Sequence, residues 1–375
     1  MNSDIVRAIE ECRGELDQMI CLQRHLFGLS EETYEDTLQY LNNSNFLNDR
    51  QLFRELIYSI SKAVVKRPLV LHLYYKILTH LADKIKSFFD SDEILRMIRI
   101  PFLLPKFLEI GVVDISTIIR MSRIDFSLFS INAPEIKAAD PKFFDEQLNL
   151  LKPEQRKEIE SANFEMDKMH RMNGINIDPI ALSIRFNNLD EFKKLLQETQ
   201  NDVNSQIVIS KYELCVMVSD YIKMPTYIEY AAFFGSLDVF KYLVEQNAIL
   251  SDRLPEFAIA GGNMEILRII EEKELDFYEA CLDAAISFHR NELVDYLVEN
   301  FEFKLSIDSI CSCVEFSNIE ILVKTLENVI DINMIDSTGE MPIYYPVEDC
   351  HLMILKFFLK IRNIDVNKRD EYGVF

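Results

Sequence analysis

The stretch Ile228–Ala248, IEYAAFFGSLDVFKYLVEQNA, decides how this chain is built. It predicts two short helices joined by a tight turn. Ala231 and Ala232 are small enough to let another helix approach closely, and Gly235 permits the turn. Ser236 stands where the second helix needs an N-cap, and Asp238 follows in the first turn, where negative charge is favoured. Val239, Phe240, Leu243 and Val244 recur at helical spacing and form one apolar face. So short a hairpin cannot bury both of its sides, so it needs neighbours of its own kind.

The chain supplies them. Pro179–Leu196, Pro255–Ile270, Cys281–Val298, Cys311–Leu326 and Pro342–Leu359 repeat the pattern. Asn187, Gly262, His289, Ser317 and Cys350 fall at the Gly235 position. The first step, from Asn187 to Gly235, is long; the steps that follow are shorter and nearly even. A unit recurring about every 30 residues marks a helical solenoid. Asn188, Ser236, Asn263 and Asn318 are expected N-caps, each followed two residues later by Asp190, Asp238, Glu265 or Glu320. Such a cap with an acid in the first turn stabilises a helix by about 1 kcal/mol. Leu195, Leu243, Ile269 and Leu297 are expected to line a continuous core.

The last full unit reads DINMIDSTGEMPIYY, followed by HLMILKFFL. Asp331-Ile332-Asn333, Asp336, Gly339 and Pro342 match the ankyrin pattern D-V-N-x-x-D-x-x-G-x-T-P-L, with Met341 in place of the usual Thr. Residues 173–375 thus resemble a divergent ankyrin-repeat protein, of the kind expanded in unicellular eukaryotes. The resemblance implies about six repeats and protein binding through the concave face and the fingers. The short middle units leave no room for a full β-turn finger. The long first step holds an insertion, NDVNSQIVISKYELCVMVSDYIKMPT. Ile364–Gly373 opens a further unit that the sequence does not finish.

At 375 residues and 49% hydrophobic content, a sizeable core is available. Gly is scarce at 9, which favours helices. The net charge of −22 is uneven: residues 1–172 carry −4 and residues 173–375 carry −18. Such acidity disfavours nucleic acid and points to a protein partner with a basic surface. The N-terminus is charged throughout and is no signal peptide, and no stretch is long and apolar enough for a membrane span. Seven scattered cysteines fit a reducing, cytoplasmic location.

The first half predicts an all-α domain over residues 1–140, with a helical connector at 141–172. Asp49 should open a helix that ends near Pro68. Residues 69–89 are rich in apolar residues and are expected to form the most buried helix of this half. Residues 124–140, with Pro134, read as a connecting segment. Between Lys62 and Lys106 there are nine Lys and Arg against four Asp and Glu. These are either solvated helix faces or a zone that docks on the acidic second half of the chain or on an anionic partner. The latter would make the chain an adaptor recruiting an enzyme or an anionic membrane.

No enzyme signature is present, and no cofactor or metal is called for. Gly261-Gly262 lacks the residues of a phosphate loop, and Cys311-x-Cys313 has no second ligand pair. The residue before the turn is Phe186, Phe234, Phe288 and Phe316 in four of the six units. These four, with Phe233, either pack between repeats or form an aromatic stripe that binds a partner. The candidate partner-binding residues are therefore Phe186, Phe233, Phe234, Phe288, Phe316, Asp336, Gly339 and Met341, and exposure of Phe234 decides between the two readings.

Overall fold

The computed structural model describes residues 3–98, 100–123, 125–160, 164–220, 222–329, 331–348 and 351–368. Among them the chain is helical and holds no strand, so the all-α reading is correct. It divides into two compact units.

The first unit contains the repeats. Six helix pairs follow one another: Pro179–Arg185 with Leu189–Thr199, Tyr227–Phe234 with Leu237–Glu245, Leu254–Gly261 with Met264–Glu272, Glu279–Ser287 with Asn291–Phe301, Ile307–Glu315 with Ile319–Leu326, and Tyr344–Glu348 with Leu352–Phe358. The turn register predicted from Gly235 holds. Asn187, Gly235, Gly262, His289 and Ser317 all adopt positive φ, between 49° and 78°. At Asn188, Ser236, Arg290 and Asn318 the next N–H reaches back to a carbonyl in the last turn of the first helix, closing the helix end as a Schellman motif does. Cys350 lies outside the described residues.

First helices stack directly on one another because their facing positions are small. Ala231, Ala232, Ala258, Ala260, Ala284 and Ala285 are buried. Gly261 is required for this approach: a Cβ there would stand 2.4 Å from the Ala232 carbonyl oxygen and 2.7 Å from that of Phe233. The two adjacent glycines therefore do different work, Gly261 by its lack of volume and Gly262 by its φ of +78°. Leu243 and Leu297 line the core as expected. Leu195 and Ile269 sit at its margin, and the core positions beside them are filled by Phe192 and Leu196, and by Ile266 and Ile270. The buried stripe on these two helices is thus turned slightly from the expected one.

The caps show how neighbouring repeats are joined. Asn188, Asn263 and Asn318 accept N–H bonds from their own second helices. Ser236 does not cap. Its buried hydroxyl donates to the Ile184 carbonyl of the preceding repeat, 2.5 Å away. The cap comes instead from that repeat, where Asn187 Oδ1 accepts from the N–H groups of Asp238 and Val239 at 3.0 and 3.2 Å. Asn263 Nδ2 donates to Gly235 O, the Arg290 guanidinium to Ala260 O and Gly261 O, and Asn318 Nδ2 to Ile286 O. Each turn is thus tied to the one before it.

Residues 1–28 cluster with this unit, although the sequence placed them in a 1–140 domain. The helix Ser3–Phe27 buries Ile5, Ile9, Cys12, Leu16, Met19, Leu22 and Leu26 along one side and packs on Ile319–Leu326 and Leu352–Phe358. Its amphipathic pattern is legible in sequence, but the partners of its apolar face lie near the other end of the chain.

The second unit comprises Leu29–Ile177 with Ile209–Ser219. Asp49 caps Arg50–Lys66 through the N–H groups of Gln51 and Leu52. Leu71–Phe88 is not the most buried helix of this half: Arg50–Lys66 buries a larger share of its residues, because Leu71–Phe88 keeps a polar face with His72, Lys76, Thr79, His80 and Asp83 exposed. The segment 124–140 is not a loop: it holds the helices Phe126–Ile131 and Ala133–Ala139. Pro134 sits in the first turn of its helix, where a missing N–H costs nothing, and Asp125 caps the helix before it. Part of the insertion between Asn187 and Gly235 also belongs here. Tyr212, Leu214, Cys215 and Val218 are buried, with Leu214 against Gly174 and Tyr212 beside His170. The expected 173–375 repeat domain therefore excludes residues 209–219.

Candidate functional site

The aromatic stripe does not form on the surface. Phe234 is only 7% exposed, and Phe233 and Phe288 are buried with it. Phe234 packs on Tyr230 at 4.6 Å, with the Arg185 guanidinium 4.6 Å from its ring. Phe233 meets Phe288 edge-on at 5.7 Å, bridging the second and fourth repeats. The third repeat carries Gly261 at the position of Phe234 and Phe288. Of the expected set, Phe186 alone is broadly exposed, at 65%, and Phe316 is half-buried.

The last finger is built rather than free. Asp336 accepts from Thr338 N at 2.9 Å, Thr338 Oγ1 at 2.7 Å, Glu340 N at 3.0 Å and Tyr345 Oη at 2.6 Å. Burial pushes its carboxyl up, yet the bonds from Tyr345, Thr338 and Glu340 outweigh it and hold Asp336 below its ordinary range. Gly339 supplies the positive φ of the tight turn, and Met341 is buried beneath it. These three residues shape the finger, which leaves Met334 and Ile335 as its exposed apolar side chains. Residues 363–368 pair with it: Asn333 Oδ1 accepts from Asp365 N at 2.7 Å, and Asn333 Nδ2 donates to Asn363 O at 2.7 Å. The motif at Asp370–Gly373 lies outside the described residues.

The surface that repeat packing leaves open is the loop edge, opposite the turns. The loops 222–224, 249–253 and 276–279 are neighbours there. Arg253 reaches the Lys223 carbonyl at 3.5 Å, and Asp252 and Asp276 both act on the Tyr278 phenol, holding its pKa above the ordinary value. Ile222 is 90% exposed, Ile249 68% and Tyr278 50%. Beside them Glu256 and Asp283 are held above the ordinary carboxylate range. Partial burial is the main cause for both, with the charges of Glu229 and Asp283 adding for Glu256, and those of Asp308 and Glu279 for Asp283. Sequence reading missed this edge because it looked for conspicuous aromatics. The available signal was register: Ile222 precedes Gly235 by the same interval as Ile249 precedes Gly262.

Burial raises the thiols of Cys215 and Cys281 to about 11 and pushes those of Cys311 and Cys313 well above the ordinary range, so these four are poor nucleophiles. His351 is buried and meets Ser317 Oγ at 3.2 Å, another link between repeats. In the second unit the basic zone is engaged locally. Lys62, Lys76, Lys84 and Lys106 lie over the rings of Tyr58, Tyr34, Phe88 and Tyr75, while Lys86 and Lys106 pair with Asp83 and Glu109. Arg99 lies outside the described residues. Shallow depressions of about 350 and 370 Å³ open beside Tyr40 and Tyr75. Among the described residues, no cluster of His, Cys, Asp and Glu has the geometry of a metal site, and no helix is long and apolar enough to cross a membrane.

Residues 246–324 match the model of a domain of unknown function, DUF3447. That span runs from the end of the second repeat to the second helix of the fifth. Among solved structures, the human ASB11 ankyrin repeat domain is similar to this chain at 12% identity, covering 52% of this chain and 88% of its own, with a TM-score of 0.35. No curated protein matches. The ankyrin-like character of residues 178–368 stands on the stacked helix pairs, the repeated positive-φ turn and the finger closed by Asp336.

Proposed function

We propose that the chain is a protein-interaction scaffold of a reducing compartment such as the cytoplasm, without catalysis of its own. The observation that supports this is the loop edge. Packing accounts for most apolar residues at the helix faces and turns, Phe186 apart, but not for the exposed apolar side chains on three neighbouring inter-repeat loops. Exposed apolar side chains on neighbouring loops of a stacked-repeat protein are suited to binding another protein. The basic zone of the second unit, with its cations over rings or paired, gives no comparable support for a membrane-recruiting adaptor. Affinity capture with the tagged full chain tests the proposal. A defined protein should be retained by the wild type and by Phe186→Ser, and lost with Ile249→Ser/Tyr278→Ser. Recovery of no protein above an untagged control would count against it.

A further inference from the structure

Resting on the scaffold reading, we infer that the edge formed by loops 222–224, 249–253 and 276–279 docks a protein segment that is both basic and apolar. Two features of the surface define that occupant. The first is the exposed row Ile222, Ile249 and Tyr278, which a partner's apolar side chains would cover. The second is the charge around the row. Asp220, Asp252, Asp276, Glu279, Glu256 and Asp283 lie on or next to these loops or in the first helices that follow them, against Lys223 and Arg253.

Several of these acids are already engaged, which makes the edge pre-formed. Asp220 accepts from the N–H groups of Ile222 and Lys223 at 2.7 and 3.3 Å and so fixes the first loop. Glu229 holds the second loop by accepting from Ser251 Oγ at 2.6 Å. Tyr278 Oη lies 3.4 Å from Asp276. Little conformational entropy remains to be lost on docking. Asp283 accepts from Ser312 Oγ at 3.1 Å, and Glu256 lies near Arg253 and Lys223 as well as near Glu229 and Asp283. Asp308 and Glu279 add negative charge beside Asp283, so an incoming Lys or Arg would gain attraction at this end of the edge. The same charges decide against other occupants. A second copy would bring its own strongly acidic repeats, and nucleic acids and anionic bilayers are repelled.

A display library of random dodecamer peptides, panned on the immobilised full chain, tests the inference. Selected peptides are then measured by fluorescence anisotropy. Lys- or Arg-rich sequences with interspersed apolar residues should be enriched, and their binding should weaken as salt rises. Ile249→Ser/Tyr278→Ser and Glu256→Gln/Asp283→Asn should each lower affinity by about tenfold or more, as loss of anchor contacts does, while Phe186→Ser leaves it unchanged. These positions are at the surface, and an unchanged circular dichroism melt will show that each variant folds. Enrichment of neutral or acidic peptides, or binding indifferent to both double variants, overturns this inference and leaves the scaffold reading standing. Failure to select any peptide counts against both.

Discussion

Gln23→Ala tests whether the N-terminal helix is an integral part of the repeat stack. Gln23 is buried. Its Oε1 accepts from the Ile319 N–H at 3.2 Å, and its Nε2 donates to the Ser317 carbonyl. In effect it supplies a cap to the fifth repeat's second helix, as Asn187 does for the second repeat. Truncation leaves two backbone groups buried without these partners, at roughly 1–3 kcal/mol each. Allowing for relaxation, the loss is about 2–4 kcal/mol. Nearby, Arg24 pairs with Glu320 at 2.8 Å, but the pair is exposed and contributes about 1 kcal/mol or less. Phe27 stacks on His289 with centroids 3.5 Å apart and should stay in place. Because the chain holds more than one unit, a single global unfolding energy is a poor readout. Amide hydrogen exchange across residues 319–326 is the assay. At about tenfold per 1.4 kcal/mol, Gln23→Ala should accelerate exchange there by roughly 30- to 1,000-fold, and Arg24→Ala by about fivefold or less. An acceleration below about threefold for Gln23→Ala would refute the capping role.

Three further outcomes follow from the geometry. Gly261→Ala should destabilise the repeats by about 1–3 kcal/mol through overpacking against two fixed carbonyls, whereas Gly14→Ala, with open space around it, should stabilise by about 0.5–1 kcal/mol; urea melts of both variants compare them. Glu274 ends a second helix at φ 58°, so Glu274→Gly should raise the melting temperature, with about 0.5–1 kcal/mol of relieved strain; an unchanged or lower melt would contradict this. Asp336 has a folded pKa below its unfolded value, so its contribution is complete above the ordinary carboxylate range and disappears as pH falls through the folded value. Hydrogen exchange of the finger, corrected for intrinsic rates, should therefore separate wild type from Asp336→Ala at pH 7 and converge in strong acid.

Much of the repeat architecture was legible in the sequence because it is local. A turn residue with positive φ, a cap and a helical stripe all lie within a single helix pair, so their recurrence sets the register. The candidate site was less legible. Whether a phenylalanine before a turn faces solvent depends on neighbours as far as two repeats away, as the contact of Phe288 with Phe233 shows. The finger residues Asp336, Gly339 and Met341 were found by motif, yet their hydrogen bonds and burial give them a structural role.

The sequence by itself determined the all-α solenoid, its turn positions and the acidity of its surface. Tertiary structure alone decided what the non-local parts do. It took the helix Ser3–Phe27 onto the fifth and sixth repeats and residues 209–219 out of the repeat array. It also buried Phe233, Phe234 and Phe288 and left Ile222, Ile249 and Tyr278 outside. The physical reason is that an apolar stripe states only that a face must be covered. Which partner covers it depends on shape and on backbone groups that become neighbours only when the chain has folded.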